Sequence, residues 1–134
     1  MANYYGKVRT NYFAVKDPEA FREDIMNYPV EMITREEDGE MLFGFLDTDE
    51  GGLPNTTYNE ETDEDTEILW EDLFTKHLAD GWVAIILEVG SEKHRYFQGF
   101  ASAYNNKGES VHLNLEDIYD LASKLGEIVP HASY

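Results

Sequence analysis

Between Glu36 and Thr75 the chain carries fifteen aspartates and glutamates and not one lysine, arginine or histidine. The residues before this tract hold five acids and five bases, and the residues after it hold eight and five. The net charge of −18 is therefore a −15 tract set on a near-neutral body. Such a tract forgoes every local salt bridge and accepts like-charge repulsion, which weakens the compact state. Solubility alone needs far less charge. Function is to be sought in this tract, and its class is a dense anionic surface offered to something basic.

The near-neutral body has to supply the scaffold. A chain of 134 residues matches one domain, 1–134, and buries on the order of two-thirds of its unfolded surface without needing staples. It has no cysteine. That removes disulfides, thiolate nucleophiles and Cys-ligated zinc, and fits a reducing cytoplasm. Met1 to Val15 lacks the basic flank and apolar run of a secretion signal. The longest apolar stretch, Trp82 to Leu87, falls far short of the roughly 20 residues of a membrane helix. The expectation is a cytoplasmic protein with no membrane contact.

Along the chain, Tyr4 to Val15 is rich in aromatic and β-branched residues and alternates as a strand. Asp17-Pro18 offers a cap and a first helical residue, which predicts a helix from Pro18 to about Asn27 with Phe21, Ile25 and Met26 inward. Val30 to Arg35 and Met41 to Leu46 read as a hairpin turning at Asp38-Gly39. Gly51-Gly52, Pro54 and Asn55 place a surface loop over Asp47 to Glu61. From about Asp63 the recurrence of Leu69, Trp70, Leu73, Phe74, His77 and Leu78 predicts a helix stopped by Gly81. The acidic loop and helix thus occupy about 47–80. Trp82 to Val89 reads as a central strand covered on both faces, and Arg95 to Tyr104 as its neighbour. Val111, Leu113 and Leu115 alternate as another strand. Asn114 then caps a helix to Leu125, with Ile118, Leu121, Ala122 and Leu125 inward. The element order predicts an α+β fold, a mostly antiparallel sheet of about five to six strands with three helices packed on it.

On the predicted acidic helix, Glu60, Glu64, Glu67 and Glu71 recur at spacings of four, three and four, which aligns them on one stripe. Carboxylates about 5 to 6 Å apart along a helix are on the scale of phosphates on a nucleic-acid strand. With Asp47, Asp49, Glu50, Glu61, Asp63, Asp65 and Asp72 they are the candidate partner-binding residues. The bland reading is a solvated helix face. Calcium is a competing use of the loop: Asp47, Asp49 and Gly52 match positions one, three and six of an EF-hand, but Gly51 and Tyr58 stand at five and twelve and Pro54 intrudes. The assignment is no metal site and no cofactor. His77, His94, His112 and His131 lie far apart, no phosphate-binding glycine motif exists, and exposed carboxylates lack the asymmetry that acid–base catalysis needs. No catalytic residue is assigned. His77 reads as a core histidine, and Glu92 to Arg95 as a polar turn.

The run from Tyr5 to Asp17 (Tyr5-Gly6-Lys7-Val8-Arg9-Thr10-Asn11-Tyr12-Phe13-Ala14-Val15-Lys16-Asp17), with Glu92-Lys93-His94-Arg95-Tyr96 later, resembles small acidic accessory proteins of phages and conjugative elements, among them anti-CRISPR and antirestriction factors. The resemblance implies a DNA-mimic inhibitor whose partner is a basic protein such as a CRISPR effector or restriction enzyme in the bacterial host, with no direct nucleic-acid binding. It assigns no residue a role. An immunity protein against a basic toxin fits the same composition, and a small enzyme is a further alternative.

Overall fold

The computed structural model describes residues 4–94 and 96–132, and only the backbone of Tyr96. Strand β1 (Tyr5–Thr10) buries Gly6, Val8 and Thr10 and turns the residues between them outward, the period-two pattern of a sheet with one covered face. After Thr10 the alternation stops: Phe13 and Ala14 are both buried. The strand expected to reach Val15 breaks into two isolated bridges, Phe13 to Phe43 and Val15 to Leu78. Asp17 caps α1 (Pro18–Ile25) by accepting from the Glu19 and Ala20 amides, and Phe21 and Ile25 point into the core. Met26 lies beyond the helix and is exposed rather than inward.

Strands β2 (Val30–Glu37) and β3 (Glu40–Asp47) form the expected hairpin. Asp38 and Gly39 both take positive φ, 53° and 81°, as a two-residue turn matched to strand twist requires. Strand β6 (Ala84–Glu92) pairs with β1 and with β7 (Tyr96–Tyr104), which pairs with β8 (Ser110–Asn114). All these ladders are antiparallel, in the order β2-β3-β1-β6-β7-β8. The α+β architecture holds. Arg95, in the turn between β6 and β7, lies outside the described residues.

The acidic tract departs from expectation. Instead of a loop to Glu61 and a helix from Asp63, Thr56–Asn59 (β4) and Glu64–Glu67 (β5) pair as a second, two-stranded sheet. Glu60, Glu64, Glu67 and Glu71 therefore share no helical stripe. In a helix, Glu60 and Glu64, and likewise Glu67 and Glu71, would stand four apart as like charges with no base to relieve them, which destabilises a helix. A strand sends successive side chains to opposite faces, and Thr56, Thr57, Tyr58 and Thr66 are good strand formers. The helix proper, α2 (Trp70–His77), starts where the dense acids end. It buries Trp70, Leu73, Phe74 and His77 but leaves Leu69 outside.

Helices α1 and α2 cover one sheet face. Their core joins Phe13, Phe21, Phe43, Phe45, Phe74, Leu78 and Ile86. The opposite face of β6 is open: Leu87 and Val89 are exposed, so this strand is central without being covered on both sides. The last helix also departs from expectation. It spans only Asp117–Ala122 (α3), Glu116 rather than Asn114 is its N-cap residue, and no residue in it is buried. Ile118, Leu121 and Leu125 are exposed. Among the described residues no helix is long and apolar enough to cross a membrane.

Candidate acidic interface

The β4–β5 hairpin is anchored at its base and free at its tip. The Ile68 amide donates to the Asn55 carbonyl at 2.8 Å, and the Trp70 indole donates to the Pro54 carbonyl at 3.0 Å. Trp70 in turn stacks on Phe45 at 5.0 Å and takes the edge of Tyr28 at 5.6 Å. The Thr57 hydroxyl donates to the Asn27 carbonyl, and the Thr48 hydroxyl to the Pro29 carbonyl at 3.1 Å. The hairpin and the loop after β3 therefore meet at one corner of the molecule, where α1 runs into β2. At the tip, Asp63 adopts a positive φ of 54° and accepts from the Tyr58 phenol.

The eleven candidate residues divide by what holds them. Asp47 accepts from the Val8 amide at 2.9 Å, Asp49 from the Gly51 amide at 2.8 Å, and Glu50 pairs with Lys7 at 3.0 Å. Those three carboxylates shape the loop. Glu71 and Asp72 sit in the first turn of α2, where the positive end of the helix dipole stabilises them. The remaining six, Glu60, Glu61, Asp63, Glu64, Asp65 and Glu67, are exposed on the hairpin, and none is in an ion pair among the described residues. Asp65 and Glu67 project from the same face of β5, about 7 Å apart for two residues of strand.

A buried carboxylate outside the acidic tract also holds the loop after β3. Glu88 is only 4 % exposed. Its Oε1 accepts from the Leu53 amide at 2.6 Å, and its Oε2 accepts from the Tyr4 hydroxyl at 2.8 Å and from Gln98 Nε2 at 3.3 Å. Gly52 has φ +92°, and a Cβ there would stand 3.0 Å from Glu88 Oε1. The Tyr4 ring crosses the paired glycines Gly6 and Gly90, where a side chain on Gly90 would come within 2.5 Å of its hydroxyl. The signal available was one acid inside the apolar run Trp82 to Val89.

A second buried polar group joins the helices. His77, on α2, is buried as expected, with Nε2 2.5 Å from Asp24 Oδ2 on α1, and Lys76 Nζ lies 2.9 Å from the same oxygen. The Lys76 hydrogen bond first, and His77 second, hold the Asp24 carboxyl below its ordinary value of 3.8. A depressed carboxylate contributes stability that is present above its unfolded value and is lost as pH falls through the lower folded value. Asp24→Asn should therefore lower the urea midpoint at neutral pH, and the gap to wild type should close below pH 3.8; a gap that persists there would assign the loss to packing.

Among the described residues no group of three or more His, Asp and Glu side chains is arranged to hold a metal ion. No protein-family model, curated protein or solved structure matches the chain.

Proposed function

We propose that the protein is a non-enzymatic inhibitor, acting in the bacterial cytoplasm, that sets its acidic hairpin into a basic nucleic-acid-binding groove of a defence nuclease such as a CRISPR effector or restriction enzyme. The observation that carries this reading is the cluster of six exposed hairpin carboxylates without an ion pair among the described residues. Arginine and lysine grooves built for phosphates accept carboxylates through the same charge-assisted contacts. The hairpin fits the role mechanically, because its anchor on Trp70 holds the base from which the charged strand and turn project. Pairing with a cationic groove also relieves the repulsion among the six.

The test is a cleavage assay with purified CRISPR effectors and restriction enzymes. Wild type should block cleavage by preventing DNA binding. Joint replacement of Glu60, Glu61, Glu64 and Glu67 by Gln should weaken inhibition by more than about tenfold, with thermal stability level or raised. Raising salt should weaken the wild type, because screening shortens to about 3 Å at 1 M. The pure protein should not retard duplex DNA, single-stranded DNA or RNA in a gel. Retardation of any of these, or a quadruple variant that inhibits like wild type, would sink the proposal.

A further inference from the structure

Strand β6 sends Ala84 and Ile86 into the core. Towards the helix side β7 alternates the polar Gln98 and Ser102 with Phe100 and Tyr104, and β8 presents His112 and Asn114, both exposed, while the outward side chains of β7 and β8 are apolar. Outward on β6, β7 and β8 stand Ile85, Leu87, Val89, Phe97, Val111 and Leu113, and none of the outward positions there is charged in a chain that is 28 % charged. Val89 is 63 % exposed and Leu113 61 %. Alternation places the apolar side of a strand where water is excluded, yet on this face Leu87, Val89, Phe97, Val111 and Leu113 stay exposed, with Leu115 lying against Gly99 at its border. Along its middle strand Ala101 and Ala103 lie between the larger side chains of β6 and β8, forming a shallow trough.

The chain carries a matching piece with nowhere to sit. Ile118, Leu121 and Leu125 recur at helical spacing, yet all three are exposed, Leu125 at 92 %. The connection into α3 is short: the Leu115 amide donates to the Gly99 carbonyl at 2.9 Å, and the helix begins two residues later. The tail packs on α3, with His131 stacked on Tyr119 at 4.0 Å and the Ala132 amide donating to the Tyr119 hydroxyl at 2.8 Å.

We propose that two copies of the chain form a symmetric dimer in which the α3 segment of each lies in the apolar trough on the outward face of β6–β8 of the other. Each copy supplies both halves of the contact, the condition for a closed two-fold interface. Eight large apolar side chains of the face and the α3 segment, Leu87, Val89, Phe97, Val111, Leu113, Ile118, Leu121 and Leu125, are each more than two-fifths exposed, and a standard interface covers about 800 Å² per partner. At the β8 end the face lies at the opposite edge of the sheet from β2 and its acidic turn, whereas at the β6 end Leu87 and Val89 border Asp47, Asp49 and Glu50 together with Lys7 and Arg9. At the border of the trough Arg9 faces outward beside Leu87 and has no ion pair among the described residues, while Asp117 and Asp120 flank the apolar residues of α3.

Sedimentation should give twice the chain mass of 15.4 kDa. Leu113→Glu and Leu121→Glu lie at exposed positions and should each keep the wild-type circular dichroism while raising the dissociation constant on the order of a hundredfold. The chain has no cysteine, so crosslinking reads the geometry: Leu113→Cys chains mixed with Leu121→Cys chains should form mixed disulfide dimers. A mass of 15.4 kDa at every concentration would overturn the dimer. Leu113→Cys chains linking chiefly to one another would overturn the exchange of helices in favour of sheet-on-sheet packing.

Discussion

Phe13→Ala should lower the unfolding free energy by about 3 to 5 kcal/mol, the range for deleting a fully buried phenylalanine. Phe13 is wholly buried and stands at the junction of the two layers. Its ring meets the rings of Phe21 on α1 at 5.9 Å and Phe74 on α2 at 5.6 Å, both edge-on. Its backbone exchanges two hydrogen bonds with Phe43, each of 2.8 Å. The cavity left by alanine cannot readily collapse, because two walls are rigid aromatic rings on separate helices and the third is a bonded strand. Urea unfolding should show a lower midpoint at unchanged slope, which separates a stability loss from a change in the surface exposed. Met26→Ala, at an exposed position, should stay within about 0.5 kcal/mol of wild type. A loss below about 1 kcal/mol for Phe13→Ala would mean that the aromatic cluster is not the centre of the core.

Glu88→Leu should cost about 2 to 4 kcal/mol, because it leaves the Leu53 amide, the Tyr4 hydroxyl and Gln98 without their shared acceptor. The more informative variant is Glu88→Gln, which keeps shape and removes charge. Burial first, and then the hydrogen bond and charge of Glu88, push the Tyr4 phenol up from 10.0 to about 12. A raised value favours the protonated form in the folded state, so the stability tied to Tyr4 is fully present below pH 10.0 and is lost as pH rises towards about 12. In Glu88→Gln the Tyr4 titration, isolated as the difference from a Tyr4→Phe background in phenolate absorbance, should move back towards 10.0. Hydrogen exchange at the Leu53 amide should quicken in the same variant. An unmoved Tyr4 titration would show that burial alone sets it, and unchanged exchange would show that the loop is held by something other than Glu88.

The hairpin at Asp38-Gly39, the capped helix at Asp17-Pro18 and a strand ending at Tyr104 are all legible in the sequence, because each rests on contacts between residues near in the chain or on alternation. The acidic segment differs from its sequence expectation for a definable reason. The apolar residues Leu69 to Leu78 are helical in spacing, but from Asp63 to Glu67 there are only acids and Thr66, and no apolar residue fixes a period. Like charges four apart disfavour a helix there, and Trp70, where the helix begins, is held by Phe45 and by the Pro54 carbonyl. Of the candidate residues, the six on the hairpin remained together as an exposed group, whereas Asp47, Asp49 and Glu50 turned out to hold the loop in place.

The sequence by itself determined where the charge lies, that it has no local partner within the tract, and which short segments are strands or turns, since charge and period are properties of the chain. Tertiary structure alone decided that Glu88 is an anchor, that β6 is covered on one face rather than two, and that α3 stands clear of its own sheet. Each of these depends on which surfaces meet across dozens of residues. A period-two or helical pattern says that one side is apolar, and only the packed fold says whether the chain itself covers that side.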